Sequence, residues 1–405
     1  MKKIQLISKL FFNLFFYALG FIIIKNNKLW VFGAWFGEKY SDNPKAFFEF
    51  INQQHSDKIK AIWITKNLNV IQELQRKGYC AYHEKSAIGI WYQLRASKAI
   101  ICQSLHDDVF SPCIGKRTEV VQLWHGIPLK KIMFDVFGGR KNKKNAIGQL
   151  IDWLSPYNKH RNDIVISTSE LTQSLLAKAF RIPHDKVLTC GFPRNDVFFE
   201  KAGNTENAKS TQFKCIYMPT FRGGKASECD LFEQYGFNIK QMEAELTKHN
   251  VELTLRMHPV NKPPYQIVKQ LKHSTAIKLD TGEDIYQSIN QYDCLITDYS
   301  SIYFDFLLSN KPIVFAPFDL DVYKKRERAL YFEFEEVTLK PYCYSWNDVL
   351  NRLISLKNDN KSLAYKSQYK ALKAKFHDKP RHDSSPFSTQ LYKALTQSTN
   401  KDIKR

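Results

Sequence analysis

The chain has 405 residues with 60 Lys+Arg against 40 Asp+Glu, a formal charge of +20, enough length for two or three domains with their own cores. A hydrophobic fraction of 43% with 29 Phe excludes a disordered chain, and 16 Gly and 15 Pro without a period exclude collagen-like or low-complexity sequence. The excess charge is concentrated: Lys2, Lys3, Lys9, Lys25 and Lys28 stand without an acid in residues 1–37, and Lys130, Lys131, Arg140, Lys141, Lys143 and Lys144 face only Asp135 in 130–144. No zinc finger or other nucleic-acid module surrounds either group, so nucleic acid is not expected as a partner.

In chain order, residues 1–27 come first. Leu10 to Ile24 is apolar except for Asn13 and Gly20 and is bracketed by Lys9 and Lys25. Fifteen helical residues reach about 22 Å, short of the ~30 Å hydrocarbon core, so this reads as a segment lying in an anionic membrane interface with its lysines on headgroups. The alternative is a first helix buried against the body.

From Lys28, β-rich runs at 28–36, 58–65, 98–103, 119–124, 163–168 and 186–190 alternate with helical patterns at 43–54, 68–77, 86–96 and 170–180. The polar stretch Asn204–Thr211 breaks the rhythm. It restarts with strands near 213–218, 251–257, 293–297 and 312–316, and helices near 238–248, 284–291 and 301–309. Such alternation means parallel sheets, because parallel strands require crossovers. The expected class is α/β, with two Rossmann-like parallel-sheet domains (28–205 and 206–390) facing a cleft, and a basic polar tail over 391–405. The eight cysteines contain no Cys-x-x-Cys pair and read as reduced core residues.

Ligands of open α/β sheets sit at the carboxyl ends of the strands. Five segments meet that condition. In Trp124-His125-Gly126-Ile127-Pro128, a histidine follows a strand at a forced turn with Lys130 and Lys131 beyond, a placement suited to a general base. Arg256-Met257-His258-Pro259 closes a strand whose alternation puts Arg256 and His258 on one side, a clamp for phosphate oxygens. In Thr297-Asp298-Tyr299-Ser300-Ser301, a buried strand runs into a helix start whose serines suit pyrophosphate. Pro219-Thr220-Phe221-Arg222-Gly223-Gly224 and Gly191-Phe192-Pro193-Arg194-Asn195-Asp196 are turns that bring an arginine to a strand end. The dinucleotide fingerprint, P-loop and nucleophile elbow are absent. Asp319-Leu320-Asp321 has the spacing of a metal pair for a nucleotide diphosphate, a spacing common by chance. No cofactor is assured by these motifs, and a divalent metal is neither called for nor excluded by them.

In this order, and together with Phe36-Gly37-x-x-Tyr40-x-Asp42-Asn43-Pro44-Lys45, these segments resemble the CDP-glycerol glycerophosphotransferase family of teichoic-acid and capsule synthesis over about residues 28–330. The resemblance implies a GT-B-like arrangement with the donor bound mainly by the second domain. It implies transfer of glycerol phosphate from CDP-glycerol, or a related CDP-polyol such as CDP-ribitol, to a hydroxyl of a lipid-linked or polysaccharide acceptor, with release of CMP. It implies a peripheral enzyme on the cytoplasmic face of the cell membrane. His125 then matches the base and His258 the histidine near the donor phosphates. Arg256, Ser300, Ser301, Arg222 and Asp298 fall to the donor phosphates, and Asp42, Asn43, Lys130, Lys131, Arg194 and Asp196 to the acceptor side. The family often ends in Asp-Gly-x-Ala-Ser-x-Arg, where this chain has Arg381-His382-Asp383-Ser384-Ser385-Pro386-Phe387. A GT-B glycosyltransferase acting on a nucleotide sugar shares the architecture, and a non-catalytic anion binder leaves the ordered motifs unexplained.

Overall fold

The computed structural model describes residues 2–136, 153–199, 212–222, 230–258, 261, 263–282, 284–326, 329–358, 366–377 and 386–402. The chain divides into two units. The first comprises Met1–His125, Met133–Asp196 and Lys379–Arg405, and the second Gly126–Ile132 and Val197–Asp378. The basic residues from Arg140 to Lys144, the Asn204–Thr211 link, Gly223-Gly224, Pro259 and Arg381–Ser385 lie outside the described residues.

Seven strands build the first unit: β1 (Asn26–Phe32), β2 (Lys60–Thr65), β3 (Ala81–His83), β4 (Ala96–Ile101), β5 (Glu119–Gln122), β6 (Ile164–Ser167) and β7 (Val187–Thr189). They form one parallel sheet in the order β3-β2-β1-β4-β5-β6-β7. Leu29 to Phe32 are all buried, as a central strand covered on both faces requires. The helix Asp42–Gln54 sets Phe47 and Phe48 on Phe32, with ring centroids 6.1 and 5.3 Å away. Its Pro44 occupies the first turn, where a missing N–H has no helical partner to lose. Glu170–Phe180 starts on a capping box from Ser169 and Thr172. The strand order reverses between β1 and β4, so the loops leaving those two strands mark the switch point where such sheets bind ligands.

The second unit carries β8 (Phe213–Met218), β9 (Val251–Leu255), β10 (Ile277–Leu279), β11 (Cys294–Thr297) and β12 (Ile313–Phe315), parallel in the order β10-β9-β8-β11-β12. Its core gathers Tyr217, Phe232, Leu253, Leu255 and Ile296 around Trp346, whose indole N–H donates to the Leu231 carbonyl at 2.7 Å. The expected helix 284–291 is two 3-10 turns, and that of 301–309 is Ile302–Phe306 followed by a 3-10 turn. The segment after His125 belongs here. Lys130 bridges Leu330, the Lys131 N–H donates to the Ala329 carbonyl at 2.9 Å, and the Tyr331 N–H donates to the Leu129 carbonyl at 2.9 Å.

At the N-terminus, Lys2–Ile22 is helical. One face docks on the first unit, with Phe16, Leu19 and Ile23 against Leu94, Phe110 and Cys113. Gly20 meets Gly115 so closely that a Cβ on Gly115 would lie 2.3 Å from the Gly20 oxygen. The other face presents Ile7, Phe11, Phe15 and Ile22, all more than half exposed. The helix is thus docked on one side and open on the other. Lys25 is not a headgroup anchor, because its ammonium donates to the Leu94 carbonyl at 2.6 Å and burial lowers its pKa to about 8. Among the described residues no helix is long and apolar enough to cross a membrane.

The polar tail expected from 391 is instead the helix Phe387–Asp402, with Leu391 and Leu395 fully buried in the first unit and Tyr392 stacked on His55 at 3.8 Å. Apolar residues at Phe387, Leu391 and Leu395 recur every four positions, a stripe that the surrounding polar composition hides. Among the described residues seven cysteines are free thiols, and all but Cys80 are buried, as expected of reduced core residues; Cys229 lies outside the described residues.

Candidate active site

In the first unit β5 ends at Gln122, and the chain then passes through Trp124 at φ 54° and Gly126 at φ 143°. A tryptophan in the left-handed region costs on the order of 1–3 kcal/mol unless its surroundings hold it. Here they do. The Asn43 amide donates to the carbonyls of Leu123 and Trp124 at 3.2 and 3.0 Å, and the Trp124 N–H donates to the Gln122 side-chain oxygen at 2.9 Å. The turn delivers His125 between the rings of Trp124 (3.9 Å) and Trp35 (5.7 Å).

His125 Nδ1 lies 3.0 Å from the Cys102 carbonyl oxygen. A carbonyl only accepts, so the proton sits on Nδ1 and Nε2 keeps its lone pair. Nε2 makes no hydrogen bond among the described residues. Burial pushes the imidazole pKa below its ordinary value, against the Asp42 charge and the Cys102 bond, which raise it; Arg194 adds to the fall. A neutral ring with an open Nε2 is a proton acceptor.

The residues expected on the acceptor side mostly bind one another. Asp42 Oδ1 accepts from Arg194 Nη1 at 2.7 Å, and Asp42 Oδ2 accepts from the Trp35 indole at 3.1 Å. Arg194 Nη1 also donates to the His125 carbonyl at 3.0 Å, and its backbone N–H donates to the Asn43 side-chain oxygen at 3.2 Å. Asp42, Asn43 and Arg194 are buried and form a frame around His125. Asp196 accepts the N–H groups of Phe387 and Ser388 at 2.5 and 3.0 Å, which makes it the cap of the last helix. Among the described residues the Lys131 ammonium makes no hydrogen bond or ion pair. Lys130 stands in the second unit, its ammonium 5.3 Å from the Phe221 ring and 4.8 Å from that of Tyr323.

In the second unit the residues expected at the donor phosphates also bond one another. Arg222 donates to Asp298 Oδ2 at 2.7 Å and to both oxygens of Asp319 at 2.8 and 2.9 Å. Burial alone would weaken its hold on the proton, but the two carboxylates outweigh that, and its pKa rises. Asp298 also takes the Thr220 N–H and hydroxyl, both at 2.8 Å. A guanidinium forked between two carboxylates tethers the end of β8 to the ends of β11 and β12. Asp319, one half of the Asp319-Leu320-Asp321 spacing, is thereby an arginine partner. Among the described residues no group of three or more His, Cys, Asp or Glu could hold a metal ion.

Arg256 and His258 part ways. The strand stops at Leu255, so alternation no longer governs them. Arg256 donates to Asp280 at 2.5 Å and to the Gly282 carbonyl at 2.7 Å, beyond β10, whereas the His258 ring lies 5.2 Å from Phe221, beyond β8. Ser300 and Ser301 differ from the arginines. They precede the helix Ile302–Phe306, both are half-buried, and neither hydroxyl bonds to a described residue or caps the helix. Sequence reasoning missed Asp108, buried behind Cys102, although the pair Asp107-Asp108 follows the strand predicted at 98–103.

A sequence profile of the CDP-glycerol:poly(glycerophosphate) glycerophosphotransferases matches residues 15–385. The chain belongs to this family. Within it, the chain is 30% identical over 327 residues to the teichoic acid glycerol-phosphate transferase of Staphylococcus aureus, covering 77% of this chain and 80% of that one. To the teichoic acid poly(glycerol phosphate) polymerase of Bacillus subtilis it is 25% identical over 366 residues, covering 86% of this chain and 46% of the polymerase, so it spans under half of that relative's length. A variant of the wall teichoic acid polymerase TagF superposes with a TM-score of 0.73 at 22% identity, covering 100% of this chain and 98% of that one, a likeness of fold. Family membership makes the protein an enzyme of glycerophosphate transfer from CDP-glycerol.

Proposed function

We propose that the protein transfers glycerol phosphate from CDP-glycerol to an acceptor hydroxyl by direct displacement, with His125 as the general base. His125 Nε2 takes the hydroxyl proton, the freed oxygen attacks the phosphorus bearing glycerol, and the bond from that phosphorus to the CMP oxygen breaks. CMP leaves as the other product. The observation that carries this reading is the Nδ1 bond to Cys102, which fixes the tautomer a base requires. On the donor side, Ser300 and Ser301 supply hydroxyl donors to the pyrophosphate, His258 a ring N–H and Lys130 countercharge. Phosphoryl-type transfer depends on positioning and electrostatics more than on a covalent nucleophile, and these groups provide both.

The acceptor in this reading is a lipid-linked or polysaccharide chain of a teichoic-acid-like or capsular polymer. The enzyme works at the cytoplasmic face of the membrane as a peripheral protein. Support for the membrane comes from the row Ile7, Phe11, Phe15 and Ile22, all on the open face of a helix that also carries Lys9. Cosedimentation with anionic vesicles tests it: binding should fall when Phe11 and Phe15 become Ser, and equal binding by that variant overturns it.

The reaction is tested by incubating the protein with CDP-glycerol or CDP-ribitol and a lipid-linked acceptor, following CMP and labelled polymer. His125→Ala should lower the rate by about 10²–10⁴-fold, the usual contribution of a positioned base. A folded His125→Ala protein with near-normal CMP release rejects the base role. Preferred use of CDP-ribitol replaces the donor in this reading.

A further inference from the structure

We propose that Asp108 is a positioning residue for His125, acting on the imidazole through the single peptide group that joins Cys102 to Gln103. The carbonyl of that peptide, on Cys102, accepts from His125 Nδ1 at 3.0 Å. Its N–H, on Gln103, donates to Asp108 Oδ2 at 2.6 Å. One rigid amide therefore stands between a carboxylate and the ring, with a hydrogen bond at each end. The same oxygen accepts the Cys102 N–H at 2.8 Å, and Oδ1 accepts the Phe36 N–H at 3.0 Å.

A negative charge at the N–H end of an amide draws the N–H dipole toward itself and pushes electron density onto the carbonyl oxygen. Chains of hydrogen bonds strengthen one another in this way, most where the dielectric is low. Asp108 is 1% exposed, so little solvent screens it. The Cys102 oxygen then accepts more strongly from Nδ1–H, which locks the tautomer and raises the affinity of Nε2 for the acceptor proton. The arrangement does the work of a carboxylate bonded directly to the histidine, with a peptide group inserted between them.

The third bond extends the control. Phe36 has φ 64° and follows Trp35 at φ 48°, and the Trp35 ring lies 5.7 Å from that of His125. Asp108 Oδ1 holds that turn while Oδ2 holds the amide behind the imidazole, so one buried carboxylate sets both the orientation of the base and the ring beside it. Burial raises the Asp108 carboxyl to about 6, against the three N–H bonds that lower it, with Asp107 adding to the rise. The other groups facing this pair are Asp42 and Arg194, which act on His125, the Cys102 thiol, and Lys66, whose ammonium donates to the carbonyls of Phe36 and Asp107.

This inference rests on His125 being the base, and the test keeps the two apart. The His125 ring is labelled with ¹⁵N and titrated in the full-length protein, a readout independent of turnover. In Asp108→Asn the imidazole pKa should fall by about one unit, the effect of removing a nearby charge in partly buried surroundings. In the same variant kcat should fall by about 10–100-fold, as when a group that orients a functional histidine is lost. The KM for CDP-glycerol should stay within about twofold, because Asp108 bonds no group assigned to the donor. A folded Asp108→Asn protein whose His125 titration matches the parent overturns the proposal even when His125→Ala is inactive. An active His125→Ala protein rejects the base reading without touching the link between the two residues. Should Asp108→Asn fail to fold, the unaltered protein decides: the ring nitrogens of His125 and the amide proton of Gln103 should share an inflection as Asp108 titrates, and its absence overturns the proposal.

Discussion

Arg194 Nη1 bonds Asp42 Oδ1 at 2.7 Å and the His125 carbonyl at 3.0 Å, so one buried guanidinium ties the start of a helix to the residue that carries the candidate base. Asp42 itself has φ 68°, a conformation that the bonds from Arg194 and Trp35 hold in place. Removing one partner of a buried ion pair leaves the other charge uncompensated, at a cost of about 3–5 kcal/mol. Arg194→Ala and Asp42→Ala should each lose about that much in urea unfolding. The double variant should lose less than the sum, because the stranded charge is gone as well.

The pH profile of the reaction follows from the state of His125. The base must be unprotonated, and burial lowers its pKa from the ordinary 6.5. The unprotonated form therefore dominates at neutrality, and protonation removes it only in acid. The rate at low acceptor concentration should rise with pH along a limb centred below 6.5 and be flat through neutrality. Asp42→Asn removes a charge that stabilises the imidazolium and should move the limb further into acid.

Arg222 and the Ser300-Ser301 pair should separate stability from donor affinity. Arg222 is held by Asp298 and Asp319, so Arg222→Ala strands two carboxylates and should cost about 3–5 kcal/mol of stability. Ser300 and Ser301 make no side-chain bond to a described residue. Changing both to Ala should leave unfolding within about 0.5 kcal/mol of the parent. The same change should weaken CDP-glycerol binding by about 10-fold or more, the loss of charge-assisted bonds to phosphate. Calorimetric titration of donor alongside urea melts checks both.

Gly115 tests the docking of the first helix. A Cβ there would sit 2.3 Å from the Gly20 oxygen and 2.8 Å from its carbon, contacts with backbone that no rotamer relieves. Gly115→Ala should cost about 1–3 kcal/mol, as overpacking does, or lift the helix away. Faster hydrogen exchange over residues 2–22 with little change over β1 and β4 is the expected signature.

Much of this architecture is legible in sequence because parallel strands covered on both faces read as apolar runs, as Leu29–Phe32 and Cys294–Thr297 do. The edge strands β3 and β10 escape because polar residues (His83, Lys278) break their apolar runs, whereas the equally short β7 and β12 show themselves through Val187-Leu188 and Ile313-Val314-Phe315. The position of His125 is also legible, since a histidine between a strand and a Gly-x-Pro turn has few other reasons to be there. The partners of the arginines are not. Arg222 bonds a residue 97 positions away and Arg194 one 152 away, and nothing local distinguishes an arginine that meets carboxylates from one that meets phosphate. Asp108 is hidden for a related reason: its bonds run to backbone N–H groups, which leave no trace in side-chain pattern.

The segment Gly126–Ile132 pairs with Ala329–Tyr331 inside the second unit, although the residues on either side of it belong to the first. The units are therefore interleaved along the chain. Exchanging donor preference between members of the family by swapping residues 197–378 alone would set one enzyme's Lys130 against another's Phe221 and Tyr323, and would leave a foreign strand on Leu330. A chimera that keeps a working interior has to carry both pieces, the short loop as well as the long block. Substitutions inherited together in those two stretches are the ones to transplant as a set.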